Sequence, residues 1–172
     1  MSKAVLISIK PQWCGQIAQL RKTMELRKTR PNIELPFKAY IYCTNVKSMN
    51  LQDYIAVDRA TCGAVDAWSC KVIGEFTCFT ISTICHVSAM GSNALPKLHL
   101  VAPGLRYKPA DTLLQAACLT EDAAETYLKG GDGFGWGISN LILYSTPKPL
   151  SDFGLSRAPQ SWCYVEERRS SE

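Results

Sequence analysis

The sequence has little of what marks a membrane, secreted or zinc-binding protein. No apolar run in its 172 residues approaches the roughly 18 residues needed to cross a bilayer. Lys10 and Pro11 interrupt the N-terminal apolar stretch where a signal peptide needs a longer hydrophobic centre. There are two histidines and no Cys-x-x-Cys pair, so no set of ligands has zinc spacing. We therefore expect a cytoplasmic protein without a membrane span, a metal site or a cofactor.

A strong excess of one charge is also missing. The net charge is +4, from 19 basic and 15 acidic residues, so affinity for nucleic acid has to come from local clustering. Eight cysteines is a high count, but most of them lie in apolar stretches, as free thiols do in reducing compartments. We expect buried free thiols at these positions: Cys14, Cys43, Cys78, Cys118 and Cys163.

The opening segment predicts a strand followed by a short helix. Residues 1–10 alternate in polarity, which is the two-residue period of a strand. Pro11 then stands at the first helical position, where proline costs least, and Trp13, Ile17 and Leu20 form one apolar stripe. The pattern predicts a helix that ends near residues 21 and 22.

A glutamate inside a basic run is the first sign of a functional site. The stretch QLRKTMELRKTR, residues 19–30, places five Arg or Lys residues around Glu25. Its period of two predicts a strand with Met24 and Leu26 facing a core and with Glu25 and Arg27 on the other face. A segment that only contacts phosphates needs no carboxylate, so Glu25 indicates a site.

The remaining segments predict more strands than helices. FKAYIYCT is the clearest strand, and KVIGEFTCFTIS is another, in which Gly74 marks a bulge or close approach and Glu75 lies in mid-strand. Helices are predicted near residues 111–118 and in TEDAAETYLKGG, and strands in GISNLILYS and SWCYVE. We interpret residues 45–70 and 86–110 as insertions in one domain, residues 1–172. The expected fold is α+β, a small mixed β-barrel of five to six strands with flanking helices.

Several separated segments resemble the ASCH domain of the PUA-like superfamily. LISIKP, a helix, KTMELRK and PFKAYIYCT open the chain, and KVIGEFTC, GWGISNLILY, KPLSDF and APQSWCYVEE follow in the order typical of bacterial and phage ASCH proteins. The resemblance covers the chain except for parts of the two insertions. It implies a PUA-like barrel with a cleft beside the helix–strand turn, in a family whose members are thought to bind RNA or other nucleic acids.

The resemblance also implies positions for the site. The family motif Gly-x-Lys-x-x-Glu-x-Arg falls on Leu20, Lys22, Glu25 and Arg27. The glutamate of the IGEF strand falls on Glu75. Leu20 replaces the glycine of the motif, and Gly137 stands where relatives commonly have histidine, so this chain lacks that imidazole.

The leading hypothesis is a module that binds RNA, another single-stranded nucleic acid or a modified nucleotide through a basic cleft. Cationic side chains would contact phosphates, aromatic rings would stack on a base, and hydroxyl or amide groups would hydrogen-bond its edge. The expected nucleic-acid-binding residues are Arg21, Lys22, Glu25, Arg27, Lys28, Arg30, Tyr42, Trp136, Ser139, Gln160, Ser161 and Trp162.

Other functions remain open. Some related proteins are hydrolases, so a ribonuclease or N4-acylcytidine amidohydrolase is an alternative, in which Lys22 takes a proton from Thr23, Thr23 attacks and Glu75 orients the lysine. That chemistry requires a dry pocket, since a lysine beside carboxylates otherwise acts as an electrostatic clamp. A third hypothesis is a phage-type protein that binds a host protein through its insertions. The simplest interpretation is a structural ion pair of Lys22 with Glu25 or Glu75.

Overall fold

The computed structural model describes residues 2–45, 47, 66–86, 98–101 and 108–168. In chain order, the described elements are β1 (Lys3–Ile9), α1 (Pro11–Ala18), β2 (Met24–Arg27), β3 (Phe37–Cys43), β4 (Lys71–Cys78), β5 (Ile81–His86), β6 (Leu98–Val101), β7 (Lys108–Pro109), α2 (Asp111–Ala116), α3 (Glu121–Leu128), β8 (Gly133–Gly137), β9 (Ser139–Lys148), a 3-10 helix (Leu150–Phe153) and β10 (Trp162–Glu166). The α+β class is therefore confirmed.

The strands form two five-stranded sheets. Sheet A has the order β10-β1-β3-β4-β9, and sheet B has the order β2-β8-β5-β6-β7. Within sheet A, β1 and β3 run parallel, while the other pairs in both sheets are antiparallel. The predicted strands at residues 37–43 and 162–166 are confirmed. Closure into the single small barrel of five to six strands stays a prediction.

Both faces of sheet A are covered by other parts of the chain. Its inner face packs with α1 and with Trp136 of β8 in one core, which contains Val5, Ile7, Ile9, Cys14, Ile17, Phe37, Ala39, Ile41, Cys43, Ile73, Phe76, Cys78 and Trp136. The outer face carries a separate cluster of Ala4, Leu6, Tyr40, Tyr42, Val72, Phe153 and Val165. Alternation along the strands thus divides neighbouring side chains between two different environments.

Sheet B packs α2 and α3 against one of its faces. This second core contains Leu26, Ile84, Leu98, Ala110, Leu113, Leu114, Ala124 and Leu128, with Met24 packed against it. Met24 and Leu26 therefore face the second core, and Glu25 and Arg27 lie on the opposite face of β2, as the period-two pattern predicts. α3 begins at the predicted N-cap, where Thr120 Oγ1 accepts a hydrogen bond from Ala123 N.

The segment predicted as one long strand around KVIGEFTCFTIS is two strands in different sheets. β4 belongs to sheet A and β5 to sheet B, with Phe79 and Thr80 between them. β8 and β9 change sheets in the same way across Ile138. Gly74 fits the predicted close approach, since an added Cβ would collide with the carbonyl oxygen of Ile142, and the pairing register of β4 shifts beside it.

The two predicted insertions, 45–70 and 86–110, fall largely outside the described residues. In 86–110, the described parts contain β6 and β7, so the stretch predicted as irregular contributes two strands to sheet B. In the described part of the chain, no helix is long and apolar enough to cross a bilayer. The cysteines in that part are free thiols, with Cys14, Cys43 and Cys78 buried and Cys118 and Cys163 half-buried.

Candidate functional site

The turn after α1 directs residue 22 and the start of β2 towards the protein interior. Arg21 N donates to Gln16 O at 3.0 Å and Leu20 N donates to Ile17 O at 2.9 Å, the paired bonds of a Schellman motif. Leu20 occupies its left-handed position with φ of 59°. Glycine normally takes that position and marks the end of a helix in a sequence. Because leucine stands here, the predicted end near residue 21 is wrong, and the helix ends at Ala18.

Lys22 leaves this turn pointing inwards. Its side chain is buried, with 2% exposure, and Nζ donates to Ala117 O at 2.7 Å. Nζ also lies 3.3 Å from Glu25 Oε2 and 5.0 Å from the centre of the Trp13 ring. Lys22 is therefore a buried cation held by a carbonyl, a carboxylate and an aromatic face.

Glu25 and Arg27 continue the charged row along β2. Arg27 Nη2 lies 3.0 Å from Glu25 Oε1 and donates to Ser8 O at 2.6 Å. Arg27 Nη1 donates to Ser161 Oγ at 3.4 Å. Both side chains are less than one-tenth exposed. One guanidinium thus connects β2 to β1 and to the residue before β10.

Three buried polar atoms in this region have no hydrogen-bond partner among the described residues: Glu25 Oε2, Arg27 Nε and Trp136 Nε1. Trp136 is the cross-strand partner of Glu25, so the two side chains share one face of sheet B. Lys22 Nζ approaches Glu25 Oε2 as an ion pair without a well-directed hydrogen bond. A buried polar atom without a hydrogen bond costs about 1–3 kcal/mol. Two such donors beside a carboxylate oxygen that is held only by an ion pair form a place where ordered water or a polar ligand can bind.

We call the buried row of Lys22, Glu25 and Arg27, together with Trp136, the cleft; aromatic and basic side chains border it. Trp162 is half-buried, its ring centre lies 5.9 Å from that of Trp136, and its Nε1 donates to Thr29 Oγ1 at 3.0 Å. Arg21, Lys28 and Arg30 are exposed on the segments that flank β2, with Lys28 over the ring of Tyr127 and Arg30 over that of Phe134. Exposed cations can meet phosphates from solvent, whereas the buried Arg27 cannot.

The structure separates two expected site residues from the cleft. Glu75 pairs with Tyr40 in the sheet register, and Tyr40 belongs to the outer face of sheet A. Glu75 accordingly contacts Lys38, with Nζ 3.1 Å from Oε1, and accepts a 2.6 Å hydrogen bond from Tyr144. The expected convergence of Glu75 with Lys22 is therefore wrong, because period two places Glu75 on the opposite side of the sheet.

Tyr42 lies on that same outer face and cannot stack on a base in the cleft. Burial and a hydrogen bond to the Cys70 side chain raise the pKa of Tyr42 to about 12. Ser139 Oγ donates to Thr77 O at 2.6 Å, which occupies its hydroxyl proton. Gln160 is exposed next to Ser161, and Thr23 is exposed next to Lys22.

Several residues of the cleft were not predicted from the sequence. Ser8 accepts from Arg27 through its carbonyl, donates from N to Ser161 O at 2.9 Å and donates from Oγ to Pro159 O at 2.7 Å. The carbonyl oxygen of Ala117 accepts the hydrogen bond from Lys22 Nζ. Backbone carbonyls leave no side-chain signal, so only tertiary packing reveals these contacts. Burial, together with the neighbouring Cys43 thiol, raises the pKa of Cys14 well above its usual value.

A separate hollow on α3 does not suit the same ligand. It is lined by Asp122, Glu125, Thr126 and Gly130 and has a volume of about 470 Å³. Two carboxylates in its lining repel phosphate groups. The cleft beside β2 therefore remains the site that the charges and the buried atoms without a hydrogen bond favour.

Comparison with solved structures gives the fold a name. The crystal structure of ASCH from Zymomonas mobilis matches 95% of this chain and 88% of its own, with a TM-score of 0.57 and 17% identity. The chain has the ASCH-domain fold. Crystal structures of two single-residue variants of that protein, a Tyr-to-Phe and a Ser-to-Ala variant, match with the same TM-score at 16% identity. They match 96% and 95% of this chain and 92% and 89% of their own.

No protein-family model and no curated protein matches the sequence. At this identity the likeness shows the ASCH fold and nothing of the activity. The fold does explain the motif that the resemblance supplied. Its glycine position is Leu20, the left-handed residue of the Schellman turn, and its Lys, Glu and Arg positions are the buried row of Lys22, Glu25 and Arg27.

Proposed function

We propose that this ASCH-fold protein binds single-stranded RNA, or a nucleotide with a modified base, in the cleft beside β2. The observation that carries the proposal is the set of buried atoms without a hydrogen bond, Glu25 Oε2, Arg27 Nε and Trp136 Nε1, on one face of sheet B. A flat heterocycle with donors and acceptors on its edge is a ligand that can pair with all three. Base-edge recognition of this kind requires an unpaired base, so the ligand is single-stranded.

The basic residues divide into two roles in this proposal. Arg27 and Lys22 are buried and held by protein acceptors, so they shape the pocket and contact the base. Arg21, Lys28 and Arg30 are exposed at the rim and contact the phosphates. This division differs from a uniform basic surface, in which Arg27 and Lys28 would act alike.

The two roles predict different salt behaviour. Each phosphate contact in a single strand contributes about −0.7 to the slope of log affinity against log salt. Neutralising Lys28 and Arg30 with glutamine should therefore weaken binding and flatten the slope by about one to one and a half. Ser161→Ala, which removes a cleft hydroxyl from the Arg27 contact, should weaken binding without changing the slope.

Fluorescence anisotropy of a labelled single-stranded RNA across a salt series measures both quantities. Asp122→Asn on the α3 hollow is the control and should leave affinity nearly unchanged, because its side chain is exposed and outside the cleft. Equal affinity and equal slope in all variants would reject the cleft as the binding site. The same series with single-stranded DNA and with modified nucleosides identifies the ligand class.

One observation favours a hydrolase as a second candidate function. Lys22 is 2% exposed, which meets the requirement for a dry environment, and it is adjacent in sequence to the exposed hydroxyl of Thr23. Glu25, and not Glu75, is the carboxylate beside it. In this form, Thr23 Oγ attacks the carbonyl carbon of the acyl group, and its proton passes to Glu25, since Lys22 is already a cation. The C–N bond breaks, the leaving amine takes that proton, and water then hydrolyses the acyl ester on Thr23.

Thr23→Ala tests the hydrolase without disturbing a buried group. If the protein is a hydrolase, product formation from RNA or acylated cytidine, followed by mass spectrometry, should disappear in Thr23→Ala and persist in Glu75→Gln. Retention of the ligand without product in the wild type would leave the binding function and reject the hydrolase.

A further inference from the structure

A row of aromatic rings leads from the first core to the protein surface along β10. Trp136 is fully buried, Trp162 is half-buried, and Tyr164 is 41% exposed. The ring centres lie 5.9 Å apart between Trp136 and Trp162 and 5.4 Å apart between Trp162 and Tyr164. Trp162 and Tyr164 are two residues apart on one strand, so they share the face that adjoins the cleft.

The outermost ring is held in place from two sides. The Tyr164 hydroxyl accepts a 2.7 Å hydrogen bond from Asn32 N, and the ring stands at 77° to Trp162. A fixed aromatic ring loses little conformational freedom when a ligand stacks on it. Tyr164 is therefore prepared as a platform before any ligand arrives.

A lysine covers the exposed ring. Lys3 Nζ lies 5.5 Å from the centre of Tyr164. Stacking of a base on an aromatic ring is stronger than an exposed cation–π contact, so a base displaces this flexible side chain. Glu166 is the register partner of Lys3, so the two charges nearly cancel, and stacking is the main attraction at this point.

We propose that Tyr164 is a second base-stacking platform, outside the cleft, and that the ligand is a strand of at least two nucleotides. The inference rests on the proposed function of the cleft and extends it. Ser161, at the cleft, and Tyr164 are three residues apart, about 10 Å at strand spacing, which is too far for one base to contact both. A base bound beside Arg27 and Ser161 therefore has its neighbour on Tyr164.

Single-stranded RNA of different lengths tests this platform. Binding of a mononucleotide and of a hexanucleotide is measured by titration with the wild type, Tyr164→Ala and Tyr164→Phe. Tyr164→Ala should weaken hexanucleotide binding about 5- to 100-fold and leave mononucleotide binding unchanged. Tyr164→Phe keeps the ring and should retain most of the affinity. The salt slope should stay constant, because no phosphate contact is removed.

Tyr144 provides a matched comparison. It also has a lysine over its ring, with Lys148 Nζ 4.4 Å from the centre, but it lies on the outer face of sheet A. Tyr144→Ala, shown by circular dichroism to be folded, should weaken hexanucleotide binding much less than Tyr164→Ala. Equal effects of the two substitutions, or equal loss of mononucleotide and hexanucleotide binding in Tyr164→Ala, would overturn the platform while leaving the cleft intact. A wild type that binds neither ligand would reject the proposed function and the platform together.

Discussion

Arg27 Nη2 lies 3.0 Å from Glu25 Oε1 and 2.6 Å from Ser8 O, so a single buried guanidinium ties two sheets together. Removing Arg27 leaves Lys22 as the partner of Glu25 but takes the charged donor from Ser8 O, and a hydrogen bond to a charged group contributes about 1.5–3 kcal/mol. Arg27→Ala should therefore lower the free energy of unfolding by about that amount, and Arg27→Lys should lower it less. Urea unfolding measures both, with exposed Arg21→Ala as the control, expected within about 0.5 kcal/mol of the wild type. Equal stability of Arg27→Ala and Arg21→Ala would show that these contacts contribute nothing.

Leu20 is the residue at which this chain departs from its motif, and the structure shows the consequence. A non-glycine side chain in the left-handed conformation costs about 1–2 kcal/mol, whereas glycine adds flexibility to the unfolded chain worth up to about 1 kcal/mol. Because Leu20 is 69% exposed, little packing is lost on its removal. Leu20→Gly should therefore raise the free energy of unfolding by about 0.5–1 kcal/mol. Leu20→Ala keeps the strain and should not do so; a destabilised Leu20→Gly would contradict this account of the turn.

Glu75 and Tyr144 should matter for stability and not for ligand binding. Tyr144 donates a 2.6 Å hydrogen bond to the Glu75 carboxylate on the outer face of sheet A. A hydrogen bond to a charged group contributes about 1.5–3 kcal/mol, and Tyr144 is only half-buried, so Tyr144→Phe should cost about 1.5 kcal/mol. RNA affinity measured on the folded variant should equal that of the wild type. Lost affinity in a folded Tyr144→Phe would connect the outer face to the site.

Stability should fall at alkaline pH because burial raises the pKa of Cys14 and of Tyr42. Ordinary thiols and phenols release their protons near pH 8.5 and 10, whereas the pKa of Tyr42 in the folded protein is about 12. Between these values the unfolded chain binds fewer protons than the folded one, so the free energy of unfolding decreases as pH rises. The decrease should begin near pH 8.5 to 9 with Cys14 and steepen above pH 10 with Tyr42.

Tyr42→Phe isolates one part of this effect. The substitution keeps the ring and removes the titrating hydroxyl, so urea unfolding between pH 8 and 11 should show a shallower decrease above pH 10 than in the wild type. Groups that are unchanged between the two proteins contribute equally to both curves. Identical slopes would mean that Tyr42 ionises as readily in the folded protein as in the unfolded chain.

The sequence predicts the strands and the helix that carry this site better than it predicts which of their side chains come into contact. The alternation of polar and apolar residues along 23–27 correctly assigns Glu25 and Arg27 to one face of the strand. The apolar Met24 and Leu26 between them mark the other face as the one that packs on a core. Glu75 has the same kind of signal, yet a single strand pattern does not say which face of a two-sided buried sheet a residue joins. The resemblance to the family motif placed Glu75 in the cleft, and the register with Tyr40 places it outside.

The contacts that sequence reasoning missed share a physical cause. Ser8 O and Ala117 O bind the buried cations through the backbone, which every residue possesses. The division of residues 71–86 between two sheets depends on a bend at Phe79 and Thr80 that contains neither glycine nor proline. Local composition therefore gives no sign of either feature, since both follow from how distant strands pack.

The indole N–H of Trp136 gives the most direct test of the cleft. The sequence contains four tryptophans, so four indole signals are expected in a nitrogen–proton correlation spectrum, and Trp136→Phe assigns one of them. Addition of a saturating single-stranded RNA should shift the Trp136 signal strongly, because its buried N–H gains a partner, and should shift Trp162 at the rim. An RNA that binds while both signals stay unmoved, or a chain that binds no single-stranded RNA, would contradict the assignment of this cleft as the ligand site.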